Sequence, residues 1–456
     1  MTLANHRSAE EIGRTERGPR NLPPLGEPRA GQEPQVVDTV LDNGLRVVAA
    51  RHGAVPMVEL RLRIPFAGSE PDHAARAELL AETLLTGTER RDRVRVDTDL
   101  AAVGGDLEAS VDPERLTVGG NALASGLDDL LDVLDDALTG AVYRDEEIAA
   151  ERDRLVERIT VARSQPRVIA REELQRHRYG DHPFAREVPE AADVARVDAE
   201  RVRELHRQKV VPSGATLVLV GDVDPERAVV AASRALGGWR SDHRAGELPA
   251  LPAVGGGSLR LVHREGAVQS QLRLSAQALP RTDARYPALQ IANLCFGGYF
   301  SSRLVENIRE DKGYTYGAHS TFEFTPGNGT VLVDADTASE VTAAALLETR
   351  YELGRMAVVP PSGAEVESAR QYAIGSLLTS TSSQSGLATL LSVLAGVGLG
   401  QEWLSAQPDR LRAVTADEVA EAAAGFFAPT AFTGVVVGDA DELSEPLRAL
   451  GGVELP

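Results

Sequence analysis

Two carboxylates stand where chemistry is easiest to look for. In HAARAELLAETLLTGTERR (His73–Arg91), Ala77, Leu80, Ala81 and Leu84 recur at helical spacing, and Glu78 and Glu82 are four residues apart. At that spacing the two side chains lie one above the other, and like charges repel by about a few tenths of a kcal/mol unless a cation sits between them. The plain reading is a solvated acidic face; the chemical one is a pair that holds a cation. Other constellations are weak. None of the nine histidines pairs with another at i, i+4 on a helix, and no Ser/His/Asp set has a readable context. GVGLG (Gly396–Gly400) lacks the strand that a dinucleotide loop needs before it, and there is no G-x4-G-K-[ST] loop. TSTSSQSG (Thr379–Gly386) reads as a polar turn between helices. Tyr299, Phe300, Tyr314 and Tyr316 crowd one short stretch of a chain with only 4% aromatic residues.

The elements that position these residues belong to a chain of 456 residues with a net charge of −20. Its length leaves room for two to four domains, and its 43% hydrophobic content is that of a globular protein. The acidity argues against nucleic acid or an anionic membrane surface as a principal partner and would draw a basic peptide. Cys295 is the only cysteine, so no internal disulfide and no cysteine cluster for zinc is expected, and a reducing, cytoplasmic location fits best. In such a location the glycosylation pattern Asn328-Gly329-Thr330 has no use. The first residues hold no apolar core of a signal peptide, and no apolar run is long enough to span a membrane.

Residues 1–35 are polar and aperiodic and read as a flexible tail. Beyond them Asn43-Gly44 marks a turn, VELRLRIPF (Val58–Phe66) alternates like a strand with one wet face, LVLVGDV (Leu217–Val223) reads as a buried strand, and LDDLLDVLDDAL (Leu127–Leu138) as a helix. TPGNG (Thr325–Gly329) reads as a hairpin closed by an Asn-Gly turn. The strongest signal is an internal duplication. RHGAVPMVELRL from Arg51 returns as REGAVQSQLRL from Arg264, VDAERV from Val197 as VTADEV from Val414, and LVLVGDVD from Leu217 as GVVVGDAD from Gly434. Order is kept and the offset is 213 to 217 residues, too long for a solenoid repeat. The reading is an α+β protein of two tandem homologous domains, each a mainly antiparallel sheet packed with helices. The first spans 36–245 and the second 259–456, with the Pro- and Gly-rich 246–258 as linker.

These halves, together with PFAGSEPD (Pro65–Asp72), LLTGT (Leu84–Thr88) and GGYFSSRLVENIREDKGYTYG (Gly297–Gly317), resemble the pitrilysin/insulinase family of metallopeptidases, the inverzincins. The resemblance covers roughly Leu41 to Asp441. It implies a clam-shell half of a chamber and a zinc site of H-x-x-E-H plus a distant Glu. In this chain the two His positions are Glu78 and Glu82, and the general-base position is Ala81. The distant ligand position, seven after the Glu151-Arg152 pair, is Arg158, with Glu157 beside it. Ala81 takes no proton from water and Arg158 cannot bind a metal, so the resemblance implies no zinc in this chain. Arg158 is instead expected to lie between Glu78 and Glu82 as a salt-bridged substitute for the metal. His182 in YGDHPF (Tyr179–Phe184) resembles a structural turn of the family.

The second half keeps its own matching residues. Arg309 and Tyr316, seven apart, match an Arg/Tyr pair that in the family donates hydrogen bonds to the substrate. A helix-end Arg and a core Tyr are the plain alternative. The family's edge strand, which pairs with an extended peptide, corresponds to Gly104–Asp112, with Glu108 where the family usually has Asn. The resemblance therefore implies a chain inactive alone: the substrate-positioning subunit of a heterodimeric peptidase, whose homologous partner carries the zinc and which cleaves peptides or small precursor proteins. The alternative is a non-proteolytic scaffold or binding protein of the same family.

Overall fold

Gly44 takes a φ of +89°, a value glycine reaches without steric cost, and its N–H donates to Leu41 O at 2.9 Å. This turn joins β1 (Val36–Val40) to β2 (Arg46–Arg51). The chain is seen here in a computed structural model that describes residues 34–325 and 327–456. All but the last two positions of the expected tail lie outside the described residues. With β3 (Met57–Pro65), β4 (Asp106–Val111), β5 (Arg115–Leu123) and β6 (Thr216–Gly221), the first sheet has the order β1-β2-β6-β3-β5-β4, in which only β2 and β6 are parallel neighbours. The second sheet is built from β7 (Leu259–His263), β8 (Gln269–Ala278), β9 (Thr315–Thr325), β10 (Asn328–Ala338), β11 (Thr433–Gly438) and β12 (Val453–Glu454). Its order, β12-β7-β11-β8-β10-β9, repeats the first, except that the strand beside β7 comes from the chain end and runs parallel to it. Two sheets of mostly antiparallel strands packed with helices make this an α+β protein of two like domains.

Seven helices matter below: α1 (His73–Thr83), α2 (Leu127–Gly140), α3 (Asp145–Arg163), α4 (Pro166–Tyr179), α5 (Gln384–Ala395), α6 (Gln401–Ala413) and α7 (Ala416–Phe426). β3 alternates as its sequence requires. Val58, Leu60, Leu62 and Ile64 enter the first core, while Glu59, Arg61 and Arg63 take the other face. That face is not simply wet. α5, from the second half, lies across it: Arg61 donates to Ser385 Oγ at 2.9 Å, and Arg63 to Ser392 O at 2.8 Å. Gln384 donates to the carbonyls of His52 and Val55 at 2.6 and 2.9 Å.

The apolar part of this contact sets Leu387, Leu391 and Leu394 on Val48, Ala50, Val218 and Val220. The reciprocal contact also exists. α4, from the first half, sets Ala170 and Leu174 on Val435 and Val437 of β11. Ala170 and Leu387, Leu174 and Leu391, and Val218 and Val435 are each 217 residues apart, so equivalent helices cover equivalent strands of the opposite half. This explains why LVLVG is apolar at every position: β6 is buried on both faces.

One expectation needs correcting. Thr325 pairs with Asn328, and Asn328 and Gly329 are already strand, so the Asn-Gly pair does not form the β9–β10 turn; Gly327, just before it, has φ +72°. The expected linker 246–258 packs against the second half. Val254 is buried and its N–H donates to Gln277 Oε1 at 3.0 Å, and a Cβ on Gly256 would stand 1.8 Å from Thr430 O. Leu391→Ala should lower unfolding stability by about 2–5 kcal/mol. Hydrogen exchange should then show lost protection in β6, a strand of the other half; an effect confined to α5 would contradict the mutual cover.

Candidate functional site

α1 begins after Asp72 and turns Ala77, Leu80 and Ala81 into the first core. Ala81 is thus a packed methyl group where the family resemblance places a general base. Glu78 and Glu82 emerge toward α3, which carries Arg158. Arg158 donates to Glu82 Oε1 at 2.6 Å. The Arg158 side chain is 55% exposed, so the pair adds only about 0–1 kcal/mol to stability. Glu157 points to solvent.

The expected bridge is one-sided. Among the described residues Glu78 has no ion pair. It faces a narrow cleft beside Ala77, Asp112 and Glu187. Glu187 is itself held by Arg171 through two hydrogen bonds of 2.7 and 2.9 Å. Burial, followed by the negative charge of Glu82, pushes the Glu78 carboxyl up to about 7, against the opposing pull of Arg158. Glu78 therefore holds its proton more tightly than an exposed carboxylate does, while the guanidinium is bonded to Glu82.

The donor set does not fit zinc. Two carboxylates remain on α1, but the position of the third ligand is a fixed cation already bonded to one of them. Among the described residues no group of three or more His, Cys, Asp or Glu is arranged to hold a metal ion. His182 serves the turn: its Nδ1 accepts from Phe184 N at 3.1 Å, and its Nε2 lies 3.0 Å from Pro249 O.

The loop after α1 is held by a knot that no sequence motif signalled. Asp136 of α2, almost wholly buried, accepts from Thr88 Oγ1 at 2.6 Å, Arg90 Nε at 2.7 Å and Arg91 Nη1 at 2.8 Å. Gly87, in LLTGT, has φ +153°, and a Cβ there would sit 2.4 Å from Arg144 Nη1. The Gly-Thr pair is thus a packing requirement of the loop.

In the second half, Arg309 lies in a π-helical turn, Glu306–Asp311, a wide turn common at functional sites. Gly313, at φ +65°, ends it, and Tyr314 N donates to Ile308 O at 2.8 Å. The chain then enters β9, an edge strand among the described residues, with Tyr316 as its second residue. Arg309 is 38% exposed and its guanidinium lies 4.7 Å from the Phe300 ring centroid. Tyr316 is 97% exposed. Neither is joined by a hydrogen bond or ion pair to Glu78, Glu82 or Arg158 among the described residues. Glu108 lies exposed on β4, the edge of the first sheet.

Arg178 of α4 escaped notice in the sequence. Its side chain is fully buried and donates to Ser275 Oγ at 2.9 Å, Glu323 Oε2 at 2.7 Å and Gln175 Oε1 at 2.7 Å. A first-half helix thereby anchors β9, the strand that carries Tyr316. Only tertiary contact reveals this, because the partners are 97 and 145 residues away.

The duplicated α+β fold, two six-stranded sheets of like order packed with helices, places the chain in a defined structural class. Residues 47–191 match Insulinase (Peptidase family M16), and residues 196–372 match the Peptidase M16 inactive domain. The chain belongs to the M16 peptidase family. It is 27% identical over 292 residues to an uncharacterized zinc protease of Streptomyces coelicolor, covering 62% of this chain and 63% of that protein. It is also 27% identical over 327 residues to an uncharacterized zinc protease of Mycobacterium bovis, covering 70% and 73% of the two chains. Among solved structures, the M16 inactive domain from Pseudomonas fluorescens superposes with a TM-score of 0.81 at 18% identity, covering 89% of this chain and 98% of that one. A protease from Helicobacter pylori gives 0.81 at 17% identity, covering 89% and 99%. No described helix is long and apolar enough to cross a membrane.

Glu78 makes stability depend on pH in a stated direction. The folded state binds its proton more tightly than the unfolded chain, so its contribution declines as pH rises from 4.5 to about 7. Glu78→Gln should therefore match the parent at about pH 4 and exceed it by up to about 3 kcal/mol at about pH 8, read by denaturant unfolding at each pH. A difference that is flat across that range would show that Glu78 titrates as an ordinary surface carboxylate.

Proposed function

We propose that this chain is the non-catalytic, substrate-positioning subunit of a two-chain zinc metallopeptidase that cleaves peptides or small precursor proteins inside a closed chamber. A homologous partner supplies the zinc and the proton acceptor that α1 lacks. The observation that carries the reading is the contrast between the two halves. The first has an alanine methyl and a guanidinium–carboxylate pair where hydrolytic chemistry would need a base and three ligands. The second presents Arg309 and a fully exposed Tyr316 at the start of a sheet edge.

A bare phenol and a half-exposed guanidinium are hydrogen-bond donors suited to peptide carbonyls or a developing oxyanion. An exposed edge strand suits pairing with an extended peptide. The buried Cys295 thiol, pushed up to about 12 by burial, is unreactive and suits a reducing compartment.

The test mixes the chain with a zinc-bearing homologue. Neither this chain alone nor its Arg309→Ala/Tyr316→Phe variant should cleave peptide. The mixture should cleave, and the double variant should slow it by about 100-fold, the scale of losing transition-state donors. An unchanged rate with the double variant would reject the positioning role and leave a scaffold role in its place.

A further inference from the structure

The second half also holds a groove that the proposed function does not use. The stretch Arg281–Pro287, α6 and α7 enclose about 1120 Å³, room for a short peptide segment. Trp403, Gln407 and Arg410 follow one another at i+4 and i+3 along α6, so they face the groove together. Leu399, Pro287, Ala422 and Phe426 supply apolar walls.

Two polar groups here have no partner among the described residues. One is the Trp403 indole N–H, a donor; the other is Gln407 Oε1, an acceptor on a residue only 3% exposed. The Gln407 amide nitrogen is already committed to Gln290 Oε1 at 3.1 Å, and its oxygen is left buried behind the groove wall without a partner among the described residues. Unsatisfied buried polar groups cost about 1–3 kcal/mol each, so a native structure reserves them for water or a ligand.

The charges lining the groove are unevenly used. Asp283 is paired with Arg285 at 2.8 Å, and Glu418 caps α7 by accepting from Thr415 N at 2.8 Å. Arg281 and Arg410 have no carboxylate within 4.0 Å among the described residues. They lie over rings instead, Arg281 at 4.3 Å from the Phe324 centroid and Arg410 at 5.8 Å from that of Trp403. Glu421, exposed at the rim, is the one remaining uncommitted carboxylate of the lining.

Two guanidinium groups without carboxylate partners complement a carboxylate, and apolar walls complement a large side chain. Both requirements meet in the last residue of a peptide. We propose that this groove binds the free C-terminal end of a peptide ending in an aromatic or large apolar residue. The side chain packs between Trp403 and Phe426, and the carboxylate lies at Arg281 and Arg410. The site needs neither a partner subunit nor zinc, so it stands or falls independently of the proposed function.

The chain provides its own reporter. Its second tryptophan, Trp239, is buried with its indole N–H on Val210 O at 3.2 Å, so a fluorescence change on ligand addition reports Trp403. Titration of the full chain with N-acetylphenylalanine should give a saturable change, and N-acetylphenylalaninamide should bind about tenfold more weakly. Arg281→Ala and Arg410→Ala, both outside the cores, should each weaken the acid by about 5- to 10-fold and leave the amide unchanged. Trp403→Phe should abolish the optical signal while calorimetry still detects weakened binding. The proposal is overturned by equal affinity for acid and amide, by indifference to both arginine variants, or by no saturable binding in either measurement.

Discussion

Each sheet of this protein depends on the other half for the cover of its second face. An antiparallel sheet in a two-layer domain ordinarily buries one face and wets the other. Here Val48, Ala50, Val218 and Val220 would meet water if Leu387, Leu391 and Leu394 of α5 did not lie on them, and Val435 and Val437 depend in the same way on Ala170 and Leu174 of α4. Burying several aliphatic side chains at each contact is worth about 1.5–3 kcal/mol apiece, enough to make the halves mutually dependent. The apparent tether between them is packed as well, so little in the described chain is free to hinge.

That interlock sets the stage for the site. The two sheet edges, β4 and β9, belong to different halves, and β9 is tied down by Arg178 reaching across from α4. An arginine so deeply buried is held by its two terminal nitrogens, which donate to Ser275, Glu323 and Gln175, while its Nε has no partner among the described residues; removing any of the three leaves the charge still shorter of partners. The exposed phenol of Tyr316 thus projects from a strand whose position is fixed by the opposite half.

The state of the Glu78, Glu82 and Arg158 cluster follows from elementary electrostatics. Two carboxylates share one guanidinium. One carboxylate takes the guanidinium. The other, more enclosed and facing the cleft, gives up its proton less readily, because an unpaired buried charge is costlier than a neutral acid.

Much of this was legible in the sequence, for physical reasons. The alternation in β3, the unbroken apolar run of β6, the Asn43-Gly44 turn and the order of the repeated segments are local or periodic signals, and side-chain direction along a strand or helix follows from backbone geometry alone. The one-turn spacing of Glu78 and Glu82 and the alanine between them are likewise readable, as are Arg309 and Tyr316 through family resemblance. What tertiary structure alone decided involves partners far apart in the chain. It chose Glu82 over Glu78 for Arg158, because burial and cleft exposure differ between two positions that look alike in sequence. It covered the supposedly wet face of β3 with a helix from more than 300 residues away. It also made both Asn328 and Gly329 strand residues, because register is set by pairing across the whole sheet and not by the turn residues alone.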